Sequence, residues 1–228
     1  MNSIVIPVYQ NATVLDSLVA NLQSIAERAC APLEVLFIDD GSTDGSAERL
    51  RELISRGTNF QSRILRHNEN RGAFTAAQTG FAQAAGDYIA TMSADGQEPP
   101  ELILRFFAEL ANGRAKVAMG YRTDRRDPWT RKILAQLYWR LLRWKTGAPV
   151  SPWGVDVLAV TRDVRDWLLV HCPIPNQMVV ALYSSGFAWV DVPFERLGTR
   201  QQKSHWTLRK RIRYAFASFT YRPGRITP

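Results

Sequence analysis

The first half of the chain alternates between short apolar runs and longer segments whose apolar residues recur at helical spacing. The apolar runs are continuous, which is typical of strands that are buried on both faces of a sheet. Strands are predicted at Ser3–Val8, Glu34–Ile38, Arg63–Leu65, Tyr88–Met92 and Val117–Gly120. Their alternation with amphipathic helices predicts an α/β fold with a mostly parallel central sheet flanked by helices.

The second half has a different pattern, in which aromatic and basic residues are mixed along helical segments. Apolar residues at helical spacing predict an amphipathic basic helix over Asp127–Lys145 and a second basic, aromatic-rich helix over 205–219. Two further strands are predicted at Val155–Val160 and Trp189–Val192. The change of pattern divides one domain into two halves, 1–122 and 123–228.

Composition narrows the class of protein. The chain has 228 residues of which 46% are apolar, enough for one domain with a sizeable core. Its two cysteines, Cys30 and Cys172, do not suggest a disulfide framework, so we expect a reducing cytosol. The first predicted strand begins at Ser3, which leaves no room for a signal peptide. No apolar run approaches the roughly 18 residues that a membrane-spanning helix needs.

Positive charge is concentrated in two stretches. The formal net charge is +8, and residues 122–145 and 200–225 each contain eight Lys or Arg. Asp124 and Asp127 are the only acids in them. A basic patch can bind nucleic acid, anionic lipid or a phosphorylated substrate, and charge alone does not choose between these partners.

Two acidic motifs follow predicted buried strands about fifty residues apart. The first is FIDDGSTDG at 37–45, and the second is YIATMSADGQEPP at 88–100. Both place carboxylates at the rim of a sheet, where ligands of open α/β folds bind. A carboxylate there can hydrogen-bond a nucleoside or hold a divalent cation that bridges phosphates. The first motif alone also fits an ordinary turn in which Asp44 caps the next helix. A nucleic-acid binder would leave both motifs unexplained, so no nucleic-acid partner is predicted.

Other common sites are missing from the sequence. No Gly-x-Gly-x-x-Gly follows the first strand, and no Gly-x-x-x-x-Gly-Lys-Ser/Thr occurs. The three histidines, His67, His171 and His205, have neither metal-ligand spacing nor an evident nucleophile partner. These absences disfavour a dinucleotide-binding fold and a hydrolase triad.

A set of short segments carries a family resemblance. In the first half they are Ile6–Tyr9, Ile38–Gly45, Asn70–Gly72, Gly86–Tyr88, Ala94–Ile103 and Gly120–Arg122, with looser matches at Gly154–Asp156 and Lys203–Trp206. With them the chain resembles an inverting family-2 glycosyltransferase of the GT-A fold. It is most similar to polyprenyl-phosphate glycosyltransferases of the dolichol-phosphate mannosyl synthase type. The resemblance implies that 1–122 binds a nucleotide sugar and that 123–228 binds the acceptor.

The resemblance also implies roles in donor binding. Tyr9, Asp39 and Asp40 would hold the base and ribose. The full set of implied donor-binding residues is Pro7, Tyr9, Asp39, Asp40, Ser42, Arg71, Gly72 and Asp95. Asp95 and Gln97 would bind Mg²⁺ or Mn²⁺. The family usually has Asp-x-Asp there, and Ser93 replaces the first Asp, so metal binding is predicted to be weakened.

Residues of the second half are implied in catalysis and acceptor binding. Arg122 would face the phosphates, although a surface arginine paired with Asp124 fits the sequence as well. Asp156, in an otherwise apolar strand, would be a general base or simply a polar strand end. The implied acceptor-binding residues are Lys203, Ser204, Arg209 and Arg211, whose charges equally fit a solvated helix face.

The predicted function is transfer of a sugar, with inversion, from a nucleotide diphosphate donor to a polyprenyl phosphate. The predicted location is cytoplasmic, peripheral at the inner face of the membrane, and the need for a membrane protein partner stays open. One alternative is transfer to a saccharide or protein hydroxyl, with Asp156 as a true base. Another is a degenerate relative that only binds a nucleotide sugar, which Ser93 keeps open. Oligomeric state is not predicted.

Overall fold

A computed structural model describes residues 1–123, 129–147, 154–197 and 217–221, with the side chains of 129–136 left out. Seven strands in these residues form one sheet of order β3-β2-β1-β4-β6-β5-β7. They are β1 Asn2–Val8, β2 Leu33–Asp39, β3 Gln61–Arg66, β4 Tyr88–Thr91, β5 Val117–Arg122, β6 Val157–Thr161 and β7 Trp189–Phe194.

Helices connect most of these strands. They are α1 Leu15–Arg28, α2 Ser46–Ser55, α3 Ala73–Gln83, α4 Pro100–Ala111, α5 Trp129–Thr146, α6 Arg162–His171 and α7 Met178–Ser185. Short 3-10 turns at Ala12–Val14 and Pro175–Gln177 precede α1 and α7. Residues 217–220 are also helical, at the end of the second predicted basic helix. The rest of that prediction lies outside the described residues.

Strand direction determines which residues meet. β1 pairs in parallel with β2 and β4, β2 with β3, and β5 with β7. β6 lies between β4 and β5 and is antiparallel to both. The carboxyl ends of the other six strands therefore face one edge of the sheet, together with the start of β6. We call this the carboxyl edge.

Apolar side chains pack on both faces of the sheet. Ile4 and Ile6 of β1 join one core, which also contains Leu18 of α1 and Phe106 of α4. Val5, between them in β1, joins the opposite core, which also holds side chains of α3, α6 and α7. Successive strand residues point to opposite faces, so a continuous apolar run serves two cores. The predicted α/β fold with a mostly parallel sheet is confirmed.

Two helices of the second half, α6 and α7, were not predicted. In α7 the residues Met178–Tyr183 are apolar without a polar face, and most of them are buried. Such a short run cannot be assigned to strand or helix by periodicity alone. α6 buries only Val164 and Leu168, so its apolar face is too sparse to predict a helix.

A buried carboxylate stabilises the edge of the sheet opposite the carboxyl edge. Glu34 Oε2 accepts hydrogen bonds from the Ser3 hydroxyl at 2.6 Å and the Ala85 amide at 2.9 Å. Arg63 donates to Glu34 Oε1 at 2.7 Å. Burial alone would raise the pKa of Glu34, but these hydrogen bonds outweigh it and lower the pKa. Glu34 of β2 therefore links β1, β3 and the turn between α3 and β4.

Candidate active site

The loop after β1 is fixed against the first acidic motif. The Gln10 amide donates to Ser42 Oγ at 3.1 Å, and the Asn11 amide donates to Ser46 Oγ at 2.9 Å. Gln10 adopts a left-handed conformation with φ of 56°. Tyr9, just before it, keeps an exposed aromatic ring at the carboxyl edge. Pro7 is part of β1, paired with Ile38 of β2.

Asp39, the last residue of β2, is fully buried. Its Oδ1 accepts the amide of Ser42 at 3.0 Å, and Arg66 Nε lies 3.1 Å from Oδ2. Oδ2 receives no hydrogen bond of good geometry from the described part of the chain. The Arg66 guanidinium balances the charge of this buried oxygen, which has no exposed surface.

Asp40 organises a neighbouring loop. Its Oδ1 lies 2.7 Å from His67 Nδ1 and accepts the Arg71 amide at 2.9 Å. Its Oδ2 accepts the Gly72 amide at 2.7 Å. The two oxygens thereby hold Arg71 and Gly72, both predicted donor-binding residues. Asp40 is buried, so in this structure it positions those residues from below.

Gly41 lets the two chain segments approach each other. Its φ is +73°, and a Cβ there would lie 2.8 Å from the backbone carbonyl carbon of Glu69. Both the conformation and the space therefore require glycine. The close approach brings the 67–72 loop within reach of Asp40.

The second acidic motif contains an internal hydrogen-bonded pair. Ser93 Oγ donates to Glu98 Oε1 at 2.8 Å, and the Ser93 amide lies 3.3 Å from Glu98 Oε2. Glu98 is fully buried. Burial, and then the negative charge of Asp95, raise the pKa of Glu98 against the opposing effects of Ser93 and Arg196. Asp95 itself is half-buried and accepts the Gln97 amide at 3.3 Å.

A cation lies directly on this motif. Arg196, just beyond β7, donates from Nη1 to Gln97 Oε1 at 2.6 Å. The backbone adds a second link, because the Leu197 amide donates to the Gln97 carbonyl at 2.9 Å. The end of β7 is thus linked to Gln97, one of the two predicted metal ligands.

This motif offers oxygen ligands of the type that a hard divalent cation prefers, but too few of them to complete its coordination shell. Asp95 offers carboxylate oxygen and Gln97 offers amide oxygen, both suitable for Mg²⁺ or Mn²⁺. Ser93 directs its hydroxyl hydrogen at Glu98. Among the described residues no group of three or more His, Cys, Asp or Glu side chains could hold a metal ion. A cation bound here would need further oxygens from a phosphate or from water.

The two predicted catalytic residues are in contact. Arg122 ends β5 and Asp156 precedes β6, and the antiparallel pairing of these strands puts both at the carboxyl edge. Arg122 Nε donates to Asp156 Oδ1 at 3.2 Å. The Asp156 amide is held by the Gly120 carbonyl at 2.9 Å. The alternative partner Asp124 lies outside the described residues, as do Lys203, Ser204, Arg209 and Arg211.

Four residues of this edge were not predicted as part of the site. They are Arg66, His67, Glu98 and Arg196. The sequence contained one signal for three of them, since Arg66 and His67 follow the third strand and Arg196 follows the last. Parallel strands bring such positions to the edge that carries the acidic motifs.

From residue 137 onward, helix α5 has one face on the protein and apolar side chains exposed on the other. Lys145 Nζ donates to the carbonyl oxygens of Ser218 and Phe219 at 2.6 and 2.9 Å, and Leu142 is buried. On the other side Leu137, Leu141 and Trp144 are 52%, 42% and 85% exposed. We call these three residues the α5 apolar stripe. No helix in the described ranges is long and apolar enough to cross a membrane.

Known structures share this fold at low sequence identity. A glucosyl-3-phosphoglycerate synthase from Mycobacterium tuberculosis in complex with UDP aligns with a TM-score of 0.64 and 16% identity, over 96% of this chain and 80% of that one. A mannosyl-3-phosphoglycerate synthase from Rubrobacter xylanophilus gives 0.59 and 18%, over 95% and 71%. A mannosyltransferase from Pyrobaculum calidifontis, in complex with GDP-Man and Mn²⁺, gives 0.59 and 16%. The present chain is covered over 84% and spans about half of that enzyme, 54%.

The family assignment rests on the sequence match. Residues 3–162 of the 228 match the family described as glycosyl transferase family 2. This range contains both acidic motifs and the Arg122–Asp156 pair. It confirms the prediction of a glycosyltransferase with the GT-A fold. The chain belongs to glycosyl transferase family 2.

Proposed function

We propose that this glycosyltransferase transfers a sugar, with inversion, from a nucleotide diphosphate donor to a polyprenyl phosphate. The observation that carries the proposal is the placement of Asp39, Asp95 and the Arg122–Asp156 pair at the same edge of the sheet. This arrangement offers hydrogen-bond acceptors for a nucleoside, oxygen for a cation, and a guanidinium for a phosphate within one site.

The nucleoside would bind over β1 and β2. Asp39 Oδ2 pairs with Arg66 but accepts no hydrogen bond of good geometry from the described residues, and a nucleoside N–H or O–H is proposed to bind there. The exposed ring of Tyr9 offers a surface on which a base can stack. Pro7 and Ser42 are proposed to contact the nucleoside, and Ser42 also fixes the Tyr9 loop through Gln10.

The loop of residues 67–72 would complete the donor site. Asp40 acts here as a positioning residue, because both of its oxygens accept hydrogen bonds from this loop. Arg71 is exposed, so its guanidinium can reach a donor phosphate or ribose. Gly72, with φ of +91°, allows the turn into α3.

The diphosphate would bind at the second acidic motif. Asp95 and Gln97 would hold Mg²⁺ or Mn²⁺, which neutralises charge on the departing nucleoside diphosphate when it is bound. The Pyrobaculum calidifontis mannosyltransferase structure contains Mn²⁺ with GDP-Man, which supports a divalent cation for this fold. With Ser93 in the motif, the protein provides fewer oxygens and the nucleotide must provide more.

The acceptor would reach the sugar from the side opposite the leaving group, which inverts the anomeric centre. A phosphate acceptor is already ionised and needs a cation to position it more than a base to deprotonate it. Arg122 provides such a cation, and Asp156 orients Arg122 through the 3.2 Å contact. Lys203, Ser204, Arg209 and Arg211 are proposed to add further contacts to the acceptor phosphate.

A lipid acceptor implies work at a membrane surface. The α5 apolar stripe is flanked by exposed Arg140 and Arg143, and α5 contains no acidic residue. A helix with exposed apolar and basic residues can lie in the interface of an anionic bilayer. We therefore place the protein peripherally at the cytoplasmic face of the membrane, with α5 against the lipid.

Transfer to a hydroxyl group is the second candidate. It is favoured by the position of Asp156 at the carboxyl edge, where a carboxylate could accept a proton from an attacking hydroxyl. The phosphoglycerate synthases named above also align over nearly the whole chain. At their low sequence identity, this similarity shows a shared fold and not a shared acceptor.

Product analysis separates the two candidates. The full chain would be incubated with a panel of UDP- and GDP-sugars, Mg²⁺ or Mn²⁺, and either a short-chain polyprenyl phosphate or a set of saccharides and phosphoglycerate. We expect a glycosylated polyprenyl phosphate with inverted configuration. Asp156→Asn should retain measurable transfer to phosphate, whereas a hydroxyl acceptor would lose nearly all transfer. Asp166→Asn, an exposed site on α6, is the matched control. Transfer only to hydroxyl acceptors would contradict the lipid-phosphate proposal.

A further inference from the structure

Arg196 donates a hydrogen bond to Gln97, one of the two predicted metal ligands. Its Nη1 donates to the Gln97 amide oxygen at 2.6 Å, a short hydrogen bond typical of a charged donor. The adjacent Leu197 amide holds the Gln97 carbonyl, so the backbone fixes the distance between these segments. The contact joins positions 99 residues apart and is therefore a product of the fold.

The surroundings favour a cation at this place. Gln97 and Glu98 are buried, and Asp95 is next to them in the chain. Arg196 Nε is buried and has no hydrogen-bond partner among the described residues. The guanidinium therefore balances negative charge at the motif, but the motif does not fill all of its hydrogen-bonding positions.

A guanidinium and a divalent cation at the Gln97 amide oxygen would repel each other. An amide oxygen has two lone pairs, so accepting from Arg196 does not by itself prevent coordination. A divalent ion on the same oxygen would nevertheless lie close to the arginine charge and be repelled by it. The motif lacks a carboxylate at position 93 that could offset this repulsion.

We propose that Arg196 is a counter-cation that closes the metal site of the donor-free protein. A divalent cation enters together with the nucleoside diphosphate, whose negative oxygens offset the repulsion and add ligands, and Gln97 is then released from Arg196. The proposal rests on the proposed function in taking this motif as the diphosphate site. It adds a regulatory role for a residue outside the family match at 3–162.

Metal titration without nucleotide tests the idea directly. Mn²⁺ would be titrated into the full chain and free Mn²⁺ followed by electron paramagnetic resonance. Arg196→Gln should bind Mn²⁺ more tightly than wild type, by on the order of ten-fold for the removal of one nearby charge. Arg105→Gln is the matched control, because Arg105 also contacts the β7 end, at the Pro193 carbonyl, but is exposed. Its affinity should equal that of wild type. Equal affinities for wild type and Arg196→Gln would overturn the proposal.

A second measurement needs no variant. With saturating UDP or GDP, wild type should bind Mn²⁺ several-fold more tightly than without nucleotide, after correction for Mn²⁺ held by free nucleotide. Equal affinities would overturn the proposal even if Arg196→Gln did not fold. Neither titration uses a sugar or an acceptor. A protein that shows the metal effect but transfers no sugar would therefore disprove the proposed function and leave this inference standing.

Discussion

Ser93 donates its hydroxyl hydrogen to Glu98, a fully buried carboxyl, at 2.8 Å. The family resemblance leads one to expect a carboxylate at position 93, and the structure shows what replaces it. A hydroxyl can donate to Glu98, whereas an ionised carboxylate can only accept. Serine at position 93 thus removes a metal ligand and at the same time provides a hydrogen-bond donor for the buried Glu98.

Restoring the carboxylate should therefore destabilise the protein. In Ser93→Asp the new carboxylate would face Glu98 in a buried setting, and we expect a loss of about 1–3 kcal/mol in the free energy of unfolding. Adding Glu98→Gln should recover part of that loss, since the amide can donate to the new carboxylate. Urea unfolding of the four proteins of this double-mutant cycle measures the coupling. Strictly additive effects would show that the two positions do not interact.

Asp40 should affect donor binding through the 67–72 loop. Asp40→Asn turns one of two accepting oxygens into a donor that faces backbone amides, at a cost of roughly 1–3 kcal/mol. We expect KM for the donor to rise more than kcat falls, because the loop loses its position while the reacting groups stay. Steady-state kinetics and thermal melting check this. Glu69→Gln, an exposed change in the same loop, should leave both unchanged.

The buried Glu34 should give stability a defined pH dependence. Because its pKa is lowered below the ordinary value of 4.5, its ionised form stabilises the fold fully above that value. The contribution is lost as pH falls through the folded-state pKa. Glu34→Gln should cost about 1–3 kcal/mol at pH 7 and less as the pH is lowered below 4. Chemical unfolding at several pH values tests this, and a difference independent of pH would contradict it.

The α5 apolar stripe should determine membrane attachment. Trp144→Ser should reduce co-sedimentation with anionic vesicles, because a large exposed ring no longer enters the interface. Val170→Ser on α6 is a matched control, since Val170 is likewise strongly exposed, at 74%, but does not belong to α5. Binding should weaken at high salt, as lipid charges are screened within about 10 Å at 0.1 M. Equal binding of wild type and Trp144→Ser would remove α5 from the attachment surface.

The strands and both acidic motifs could be predicted because their signals are local. Short apolar stretches marked the seven strands, although β3 is mostly polar, and the motifs follow two of those strands directly. The contact of Arg196 with Gln97 could not be predicted, because it depends on the order in which strands pair. β6 lies between β4 and β5, and β7 pairs with β5 as the last strand of the sheet. No local pattern encodes that order.

The direction of a carboxylate is equally invisible in the sequence. Asp39 and Asp40 are adjacent and both were predicted to bind the donor. In the structure Asp40 holds the 67–72 loop, while Asp39 accepts the Ser42 amide and pairs with Arg66. Asp40 reaches the amides of that loop because of the close approach at Gly41, a tertiary feature.

Donor turnover by Asp95→Asn tests the central claim most directly. The change preserves the shape of the side chain and removes the charge from the oxygens proposed to hold the metal and its diphosphate. Release of nucleoside diphosphate from the preferred nucleotide sugar, with the acceptor and Mn²⁺ present, would be measured for wild type, Asp95→Asn and the control Asp166→Asn. We predict a loss of roughly 100-fold or more in kcat for Asp95→Asn, in the range seen when an electrostatic contact to the transition state is removed, with melting temperature unchanged and full activity in the control. Wild-type turnover by a folded Asp95→Asn protein would contradict the assignment of the donor site.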